Sequence, residues 1–238
     1  MDKPNTEAPD PRSRDSNAAN PEARDAEASD PQTPGADIRP AAVLILFGVL
    51  DALPSDHGAR SSAVSRDLDV LLLARATTLR SHPGQVAFPG GRLDPGDTGA
   101  VSAALREAQE ETGLDPAGVD VLGTLDAIPL PYSNHLVTPV LGWWQHPSPV
   151  DVVDEAESAD VFRAPVADLL NAANRGVTVI RRGGREWRGP GFLIPAANGE
   201  HLVWGFTGML LDGLFERLGW TEPWDREREL ELPPMPTS

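Results

Sequence analysis

The chain has 238 residues, a formal net charge of −16 at pH 7 and no cysteine. Such an acidic chain repels a phosphate backbone, so nucleic acid is not an expected partner. The lack of cysteine excludes a disulfide framework, a thiolate zinc site and a thiol nucleophile, and it fits a reducing cytoplasm, where we expect the protein to act. A small anionic ligand stays compatible with this charge, because bound cations and local arginines can offset it.

Two tails are expected to flank one domain at 38–221. Residues 1–37 are rich in Pro, Asp, Glu, Ala, Asn and Ser, with almost no large apolar side chain. Such a segment cannot bury enough surface to offset its ordering entropy, so we expect it to be disordered. It lacks the apolar stretch of a secretion signal, and its acidity is unlike a mitochondrial transit peptide. Residues 222–238 are again charged and proline-rich, and we expect a flexible C-terminal tail there.

Strands alternate with helices along the domain. Runs rich in Val, Leu and Ile predict strands, and the longest run is too short to span a membrane. The expected strands are Ala41–Leu50, Asp69–Arg75, Gln85–Phe88, Val119–Leu125, Val137–Trp144, Asp160–Ala164 at an edge, Val177–Ile180, Phe192–Pro195 and His201–Trp204. The expected helices are one that begins at a capping Asp97 or Thr98 and ends near Thr112, one near Val166–Ala173, and Phe206–Leu218. This mixture favours a mixed sheet flanked by helices, in an α/β or an α+β fold.

Two of the helices are expected to be amphipathic. On the last helix, the periodicity places one apolar face at Met209, Leu210, Gly213, Leu214 and Leu218. The helix that ends near Thr112 has an apolar stripe at Val101, Ala104, Leu105 and Ala108. Another face of that helix carries three carboxylates at i, i+3 and i+4, namely Glu107, Glu110 and Glu111. One side of this helix is therefore suited to a core and another to a strongly positive partner.

The three carboxylates indicate a cation site. At separations of about 5–6 Å, each pair repels by roughly 3 kcal/mol at an effective dielectric near 20. They also lie near the C-terminal end of the helix, where the helix dipole disfavours negative charge. A bound Mg²⁺ or Mn²⁺ would replace this repulsion by attraction, because hard divalent cations take oxygen ligands. Arg106 is placed to hold one carboxylate from the neighbouring turn. The alternative is a solvated acidic face with an Arg–Glu surface pair.

The segment from Gly91 to Leu114 resembles the Nudix box. That pattern has Gly, five residues, Glu, seven residues, and then Arg-Glu-apolar-x-Glu-Glu-x-Gly-apolar. Here Gly91 is followed by five residues, Asp97, eight residues and Arg106-Glu107-Ala108-Gln109-Glu110-Glu111-Thr112-Gly113-Leu114. The Asp and the extra residue both depart from the general pattern, and both occur in the Nudix subfamily that cleaves coenzyme A.

A second motif, at 71–91, resembles the signature of the same subfamily. That signature reads Leu-Leu-Thr-x-Arg-(Ser/Ala)-x3-Arg-x3-Gly-x3-Phe-Pro-Gly-Gly, and the chain matches every specified position except Leu73, which replaces Thr. Before Val137, relatives often carry Ser-Gly-Phe where this chain has Ser133-Asn134-His135, so the substrate preference can differ.

The resemblance implies a Nudix-type α/β/α sandwich that hydrolyses the diphosphate of coenzyme A to 3′,5′-ADP and 4′-phosphopantetheine. It implies Mg²⁺ or Mn²⁺ at Glu107, Glu110 and Glu111, with Gly90 and Gly91 completing the site by close backbone approach. The family's first acidic position corresponds to Asp97, which either supports the site or caps the helix. Other nucleotide diphosphates (NADH, a nucleoside triphosphate, an ADP-sugar) and a non-catalytic nucleotide sensor are the alternatives. A homodimer is common in this family.

Two further sets of residues follow from the resemblance. The base that activates water is Glu110 or Glu157, where Glu157 matches a stretch that lies across the cleft in the subfamily and is otherwise a solvated loop carboxylate. Substrate phosphates are expected to be bound by Arg75 and Arg80, since a guanidinium matches phosphate oxygens in two-pronged fashion. The alternative for these arginines is pairing with surface carboxylates.

Overall fold

The computed structural model describes residues 38–49, 55–79, 83–130, 133–196 and 199–233, all of which belong to one compact unit. The strands are β1 Arg39–Val49, β2 Leu68–Arg75, β3 Val86–Ala87, β4 Gly90–Arg92, β5 Val119–Thr124, β6 Ile128–Leu130, β7 His135–Trp144, β8 Ser158–Pro165, β9 Arg175–Arg182, β10 Arg185–Ala196, β11 Gly199–Val203 and β12 Glu229–Leu230. The helices are α1 Ala100–Thr112, α2 Val166–Leu170 and α3 Gly205–Arg217. The tail expected at 1–37 and Arg80 lie outside the described residues.

A large mixed sheet forms the centre of the domain. Its order is β3-β2-β1-β7-β5, with β8 added to β2, β4 to β1 and β6 to β7. β1 and β7 run parallel, whereas β1 pairs with β2 and β4 in antiparallel fashion. A second sheet has the order β11-β10-β9-β12. β8 pairs with β2 alone among the described strands, which confirms that it is an edge strand.

The two faces of the large sheet bury different cores. One face packs against α1, where Ala104 and Ala108 of the predicted stripe are fully buried against Leu44 and Val140. The other face packs against α2, α3 and the second sheet, with Phe192 and Phe215 fully buried. Helices on both faces of a mixed sheet give the expected α/β/α arrangement.

The positions of α1 and β4 differ from the sequence prediction. The helix begins at Ala100, with Gly99 rather than Asp97 or Thr98 at the N-cap, and the Ser102 hydroxyl accepts a hydrogen bond from the Gly99 backbone N–H at 3.1 Å. No strand was predicted directly after Phe88, but Gly90–Arg92 pairs with β1 as a short strand.

The apolar face predicted for α3 is partly wrong. Met209 and Leu218 are 52% and 46% exposed, whereas Leu211 and Phe215 are fully buried. The helix lies close to the β10 backbone at Gly208, where an added Cβ would come within 2.7 Å of the Pro190 carbonyl oxygen. This close approach turns Leu211 and Phe215, rather than Met209, toward the core.

The expectation of a flexible C-terminal tail is wrong for residues 222–233. Residues 222–233 pack on the domain: Glu222 and Leu230 are each 5% exposed, and β12 pairs with β9. One oxygen of the Glu222 carboxylate accepts a hydrogen bond from the Arg60 backbone N–H at 2.8 Å. The composition is polar, but Leu230, the partnered Glu222 carboxylate and the ion pair of Glu229 with Arg181 at 2.8 Å join the segment to the domain. In the described part of the chain, no helix has the length and apolarity needed to cross a bilayer.

Candidate active site

Arg106 lies at the centre of an ion-pair network on α1. Its Nη1 is 2.9 Å from Glu110 Oε2, and its Nη2 is 3.0 Å from Asp97 Oδ2 and 3.1 Å from Glu107 Oε1. Nη2 also donates to the Arg92 carbonyl oxygen at 3.0 Å. The hydrogen bond with Asp97 is the main reason that the pKa of Arg106 is raised, and the same bond lowers the pKa of Asp97. Asp97 therefore holds Arg106 in place and does not cap the helix.

The glycines of β4 bring the backbone against the carboxylates of α1. The Gly90 N–H donates a hydrogen bond to Glu111 Oε2 at 2.9 Å. A Cβ added to Gly91 would lie 2.3 Å from Glu107 Oε1, so that position tolerates no side chain while Glu107 stays where it is. The Pro89 carbonyl accepts from the Leu44 N–H at 2.8 Å, which anchors the turn on β1. The predicted close approach at Gly90 and Gly91 is thus present.

The carboxylates at this junction carry uncompensated negative charge. Burial raises the pKa of Glu111 to about 7, the Gly90 N–H and Arg75 oppose the rise, and the charges of Glu107 and Glu157 add to it. Burial also raises the pKa of Glu107, with Arg106 acting in the opposite direction. A bound cation would offset the cost of burying these charged carboxylates.

Arg75, the last residue of β2, and Glu157, in the turn before β8, lie close enough to Glu111 for their charges to act on it. The Ala76 N–H donates to the Glu157 carbonyl at 2.9 Å, which fixes the turn before β8 beside the last residue of β2. The Glu157 side chain is exposed. The Arg75 Nε is buried and has no hydrogen-bond partner in the described part of the chain. The structure therefore brings together six of the residues singled out by the sequence, namely Arg75, Gly90, Gly91, Glu107, Glu111 and Glu157.

Glu110 borders this group, because its exposed side chain pairs with Arg106 and its charge acts on Glu107. Within the described ranges, no three His, Asp or Glu side chains converge closely enough to form a preassembled metal centre. Two of the three predicted ligands, Glu107 and Glu110, are instead directed toward the Arg106 guanidinium. The donor set consists of carboxylate oxygens and suits Mg²⁺ or Mn²⁺, but the ligands have to move away from Arg106 to bind one.

Sequence reasoning missed two contributors to the Arg106 network. Asp94 lies 3.8 Å from Arg106 Nη2, and the Arg92 carbonyl accepts from the same nitrogen. Arg92 ends β4 and Asp94 follows in the loop before α1, and the Nudix-box pattern leaves both positions unspecified. The extra residue in that loop is the one signal that pointed to a changed loop geometry.

A family model of the NUDIX domain matches residues 57–183, more than half of the chain. The chain belongs to the Nudix family. An uncharacterised Nudix hydrolase, NudL, from Cronobacter sakazakii is 38% identical over 150 residues, which cover 63% of this chain and 75% of the relative. NudL from Photorhabdus laumondii is 36% identical over 155 residues, covering 63% and 76%. The expected Nudix-type fold is confirmed, and this Nudix protein is a hydrolase of diphosphate bonds.

Among solved structures, a Nudix hydrolase from M. smegmatis, RenU, is similar to this chain with a TM-score of 0.39 and 26% sequence identity. The similarity covers 53% of this chain and 70% of RenU.

Proposed function

We propose that this Nudix hydrolase splits the diphosphate of coenzyme A into 3′,5′-ADP and 4′-phosphopantetheine. The observation that carries the proposal is the position of Arg75, whose buried Nε has no hydrogen-bond partner among the described residues and whose positive charge acts on Glu111. A buried guanidinium nitrogen without an acceptor is costly, and a phosphate oxygen supplies the missing acceptor. The match of 71–91 to the coenzyme A signature assigns the same role to Arg75.

Coenzyme A offers two phosphate groups for arginines, a diphosphate and a 3′-phosphate. Arg75, beside Glu111, is placed to bind the diphosphate. Arg80 is five residues further along the loop, and we assign it to the other phosphate or to the same clamp. Gly90 and Gly91 leave room for the diphosphate to approach the backbone next to Glu107 and Glu111.

We assign Mg²⁺ or Mn²⁺ to the carboxylates Glu107, Glu110 and Glu111. The raised pKa values of Glu107 and Glu111 support this assignment, because burial disfavours both charged carboxylates and a bound cation would offset that cost. When bound, such a cation neutralises the diphosphate and lowers the pKa of water. Arg106 holds Glu107 and Glu110 beside each other on α1 until a cation replaces it as their partner.

Attack on phosphorus needs one water molecule to lose a proton. Glu157 is our first choice as the acceptor, because its carboxylate is exposed to solvent and its charge acts on Glu111. Glu110 is the second choice, since its side chain is also exposed but is paired with Arg106. The proton would reside on a carboxylate oxygen and return to solvent with the product.

Product analysis with purified protein tests the substrate. The protein is incubated with Mg²⁺ or Mn²⁺ and coenzyme A, acylated and oxidised coenzyme A, NADH, ATP or ADP-ribose, and the products are identified by mass spectrometry. We expect 3′,5′-ADP and 4′-phosphopantetheine, with a higher kcat/KM for a coenzyme A form than for the others. Faster cleavage of another diphosphate contradicts the proposal and supports a different Nudix substrate. Binding without turnover of any of them supports a nucleotide sensor.

We also expect a cytoplasmic location and a homodimer. Cell fractionation tests the first expectation, and sedimentation equilibrium of the purified chain tests the second, with a monomer at micromolar concentration contradicting it.

A further inference from the structure

His201 connects the second sheet to the edge strand of the large sheet. Its Nε2 is 2.7 Å from Asp160 Oδ2, and its ring stacks on Phe162 with centroids 4.3 Å apart and planes at 14°. The His201 side chain is 18% exposed, so this contact is largely shielded from water, while Asp160 is 45% exposed. A hydrogen bond and a ring stack to residues i and i+2 of one strand fix that strand against sideways movement.

The strand held by His201 leads directly into the candidate active site. Asp160 lies opposite Ala74 on β2, and Ser158 lies opposite Arg75. Ala159 is therefore an extra residue in β8, and the pairing shifts at this point. A bulge of this kind interrupts the ladder and re-aims the side chains that flank it. Asp160 is thus the first regularly paired residue after the turn that carries Glu157.

The turn itself has few other restraints. The N–H groups of Glu157 and Ser158 both donate to the Asp154 carbonyl, at 3.0 and 2.9 Å, and one bond from Ala76 joins the turn to β2. β8 has no strand on its outer edge within the described part of the chain, so His201 supplies lateral support where a neighbouring strand would otherwise do so.

We propose that His201 is a positioning residue for Glu157, which it holds toward Glu111 by fixing Asp160 beside the bulge. This role rests on the proposed function only in assigning Glu157 to the reaction. Because few bonds hold the turn that carries Glu157, each added restraint improves the orientation of its side chain, and small misplacements of a reacting group lower kcat.

Two substitutions separate the hydrogen bond from the stack. His201→Phe keeps a ring on Phe162 but cannot bind Asp160, whereas His201→Gln keeps an N–H donor but loses the ring. We expect His201→Phe to lower kcat roughly tenfold with KM nearly unchanged. His201→Gln should keep most of the kcat of the unmodified protein. His57→Phe is the matched control, because it removes another His–carboxylate pair, His57 Nε2 to Glu222 at 3.3 Å, that does not involve β8. Its kcat should match that of the unmodified protein.

A double-mutant cycle with Glu157→Gln decides whether the effect passes through Glu157. If it does, adding His201→Phe to Glu157→Gln changes kcat by less than twofold. The positioning role is overturned if His201→Phe lowers kcat as much in the Glu157→Gln background as in the unmodified protein. It is also overturned if His201→Gln loses as much kcat as His201→Phe.

A measurement without substrate keeps this inference apart from the proposed function. Hydrogen exchange of His201→Phe should rise in peptides that cover 154–160 and stay unchanged in peptides of α1. Exchange that is unchanged at 154–160 contradicts the inference whatever the substrate is. If coenzyme A is not cleaved, the proposed function fails, and the kinetic cycle is run with the diphosphate that the panel identifies.

Discussion

The Gly90 N–H and the Glu111 carboxylate are joined by a hydrogen bond of 2.9 Å between β4 and α1. The bond opposes the effect of burial on Glu111, yet the pKa of that carboxyl remains at about 7. One backbone donor therefore does not supply enough positive character for a charged Glu111 at neutral pH. The fold holds the junction together but leaves the charged form of Glu111 poorly stabilised. The effect of this charge on stability can therefore be measured without knowledge of the substrate.

Gly91→Ala should abolish most of the activity without unfolding the protein. The added Cβ would lie 2.3 Å from Glu107 Oε1, so the end of this flexible side chain must move. Moving a terminal carboxylate costs little stability but removes a proposed cation ligand. We expect a kcat loss of at least roughly tenfold, measured with Mg²⁺, and a melting temperature within a few degrees of the unmodified protein.

Gly96→Ala is the matched control for this prediction. Gly96 lies in the loop that follows β4, and nothing stands within 4 Å of its added Cβ. The kcat and the melting temperature of this variant should both match those of the unmodified protein. Equal activity of the Gly91 and Gly96 variants would mean that the position of Glu107 does not matter for hydrolysis.

Glu111→Gln should stabilise the metal-free protein at alkaline pH. Folding raises the pKa of Glu111 from its ordinary value of 4.5 to about 7, so the folded state holds this proton more tightly than the unfolded state does. Below pH 4.5 the carboxyl is neutral in both states and has no effect. Between pH 4.5 and 7 its ionisation increasingly lowers the free energy of unfolding, and above pH 7 the full cost of at most about 3 kcal/mol is present.

Urea unfolding of chelator-treated protein at pH 5 and pH 8 measures this effect. The glutamine can still accept from Gly90, so the two proteins should be similar at pH 5, and the variant should be more stable at pH 8. Added Mg²⁺ should stabilise the unmodified protein more than the variant at pH 8. A variant that is less stable at pH 8 without metal would show that Glu111 is adequately compensated within the fold.

Sequence periodicity predicted the elements that bury large apolar side chains. α1 was located because its apolar stripe recurs at helical spacing, and β1 and β2 because they are continuous apolar runs. The periodicity did not reveal where the acidic side chains point. Glu107, Glu110 and Glu111 share a helix face, but Arg106 draws two of them aside through contacts with Asp97 and the Arg92 carbonyl.

Elements with little apolar pattern were predicted too short or missed. β10 begins at Arg185 rather than at Phe192, since its first half mixes charged residues and glycines with Trp187 and Pro190 and has no regular apolar alternation. β12 was missed because it has a single buried side chain, Leu230, in a charged and proline-rich stretch. In both cases, pairing with β9 determines that the segment is a strand, and no local feature of the sequence predicts this pairing.

Leu230→Ala should destabilise the domain although it lies in the segment expected to be flexible. Leu230 is 5% exposed and covers Gly176 and Gly191, where no side chain would fit. Loss of a buried leucine costs about 2–4 kcal/mol of unfolding free energy, and denaturant titration measures it. Leu122→Ala is the control, because Leu122 is 65% exposed and its truncation should change stability by less than about 0.5 kcal/mol. Equal stability of the two variants would restore the flexible-tail interpretation.

Arg75→Ala should weaken coenzyme A hydrolysis by roughly 1.5–3 kcal/mol in kcat/KM, the range for hydrogen bonds to charged groups. Arg75→Lys should recover only part of this loss, because an ammonium cannot form the planar fork. Arg185→Ala, at an exposed site on β10, controls for the change in net charge and should have no effect.

Dephospho-coenzyme A, which lacks the 3′-phosphate, identifies the group that Arg75 binds. Because Arg75 lies beside Glu111, we expect it to bind the scissile diphosphate, and its removal should then affect both substrates equally. A smaller effect on dephospho-coenzyme A would instead assign Arg75 to the 3′-phosphate. The same comparison for Arg80→Ala assigns the second arginine. If neither substitution alters kcat/KM for either substrate, these arginines do not contact phosphate, and the argument for coenzyme A loses its structural support.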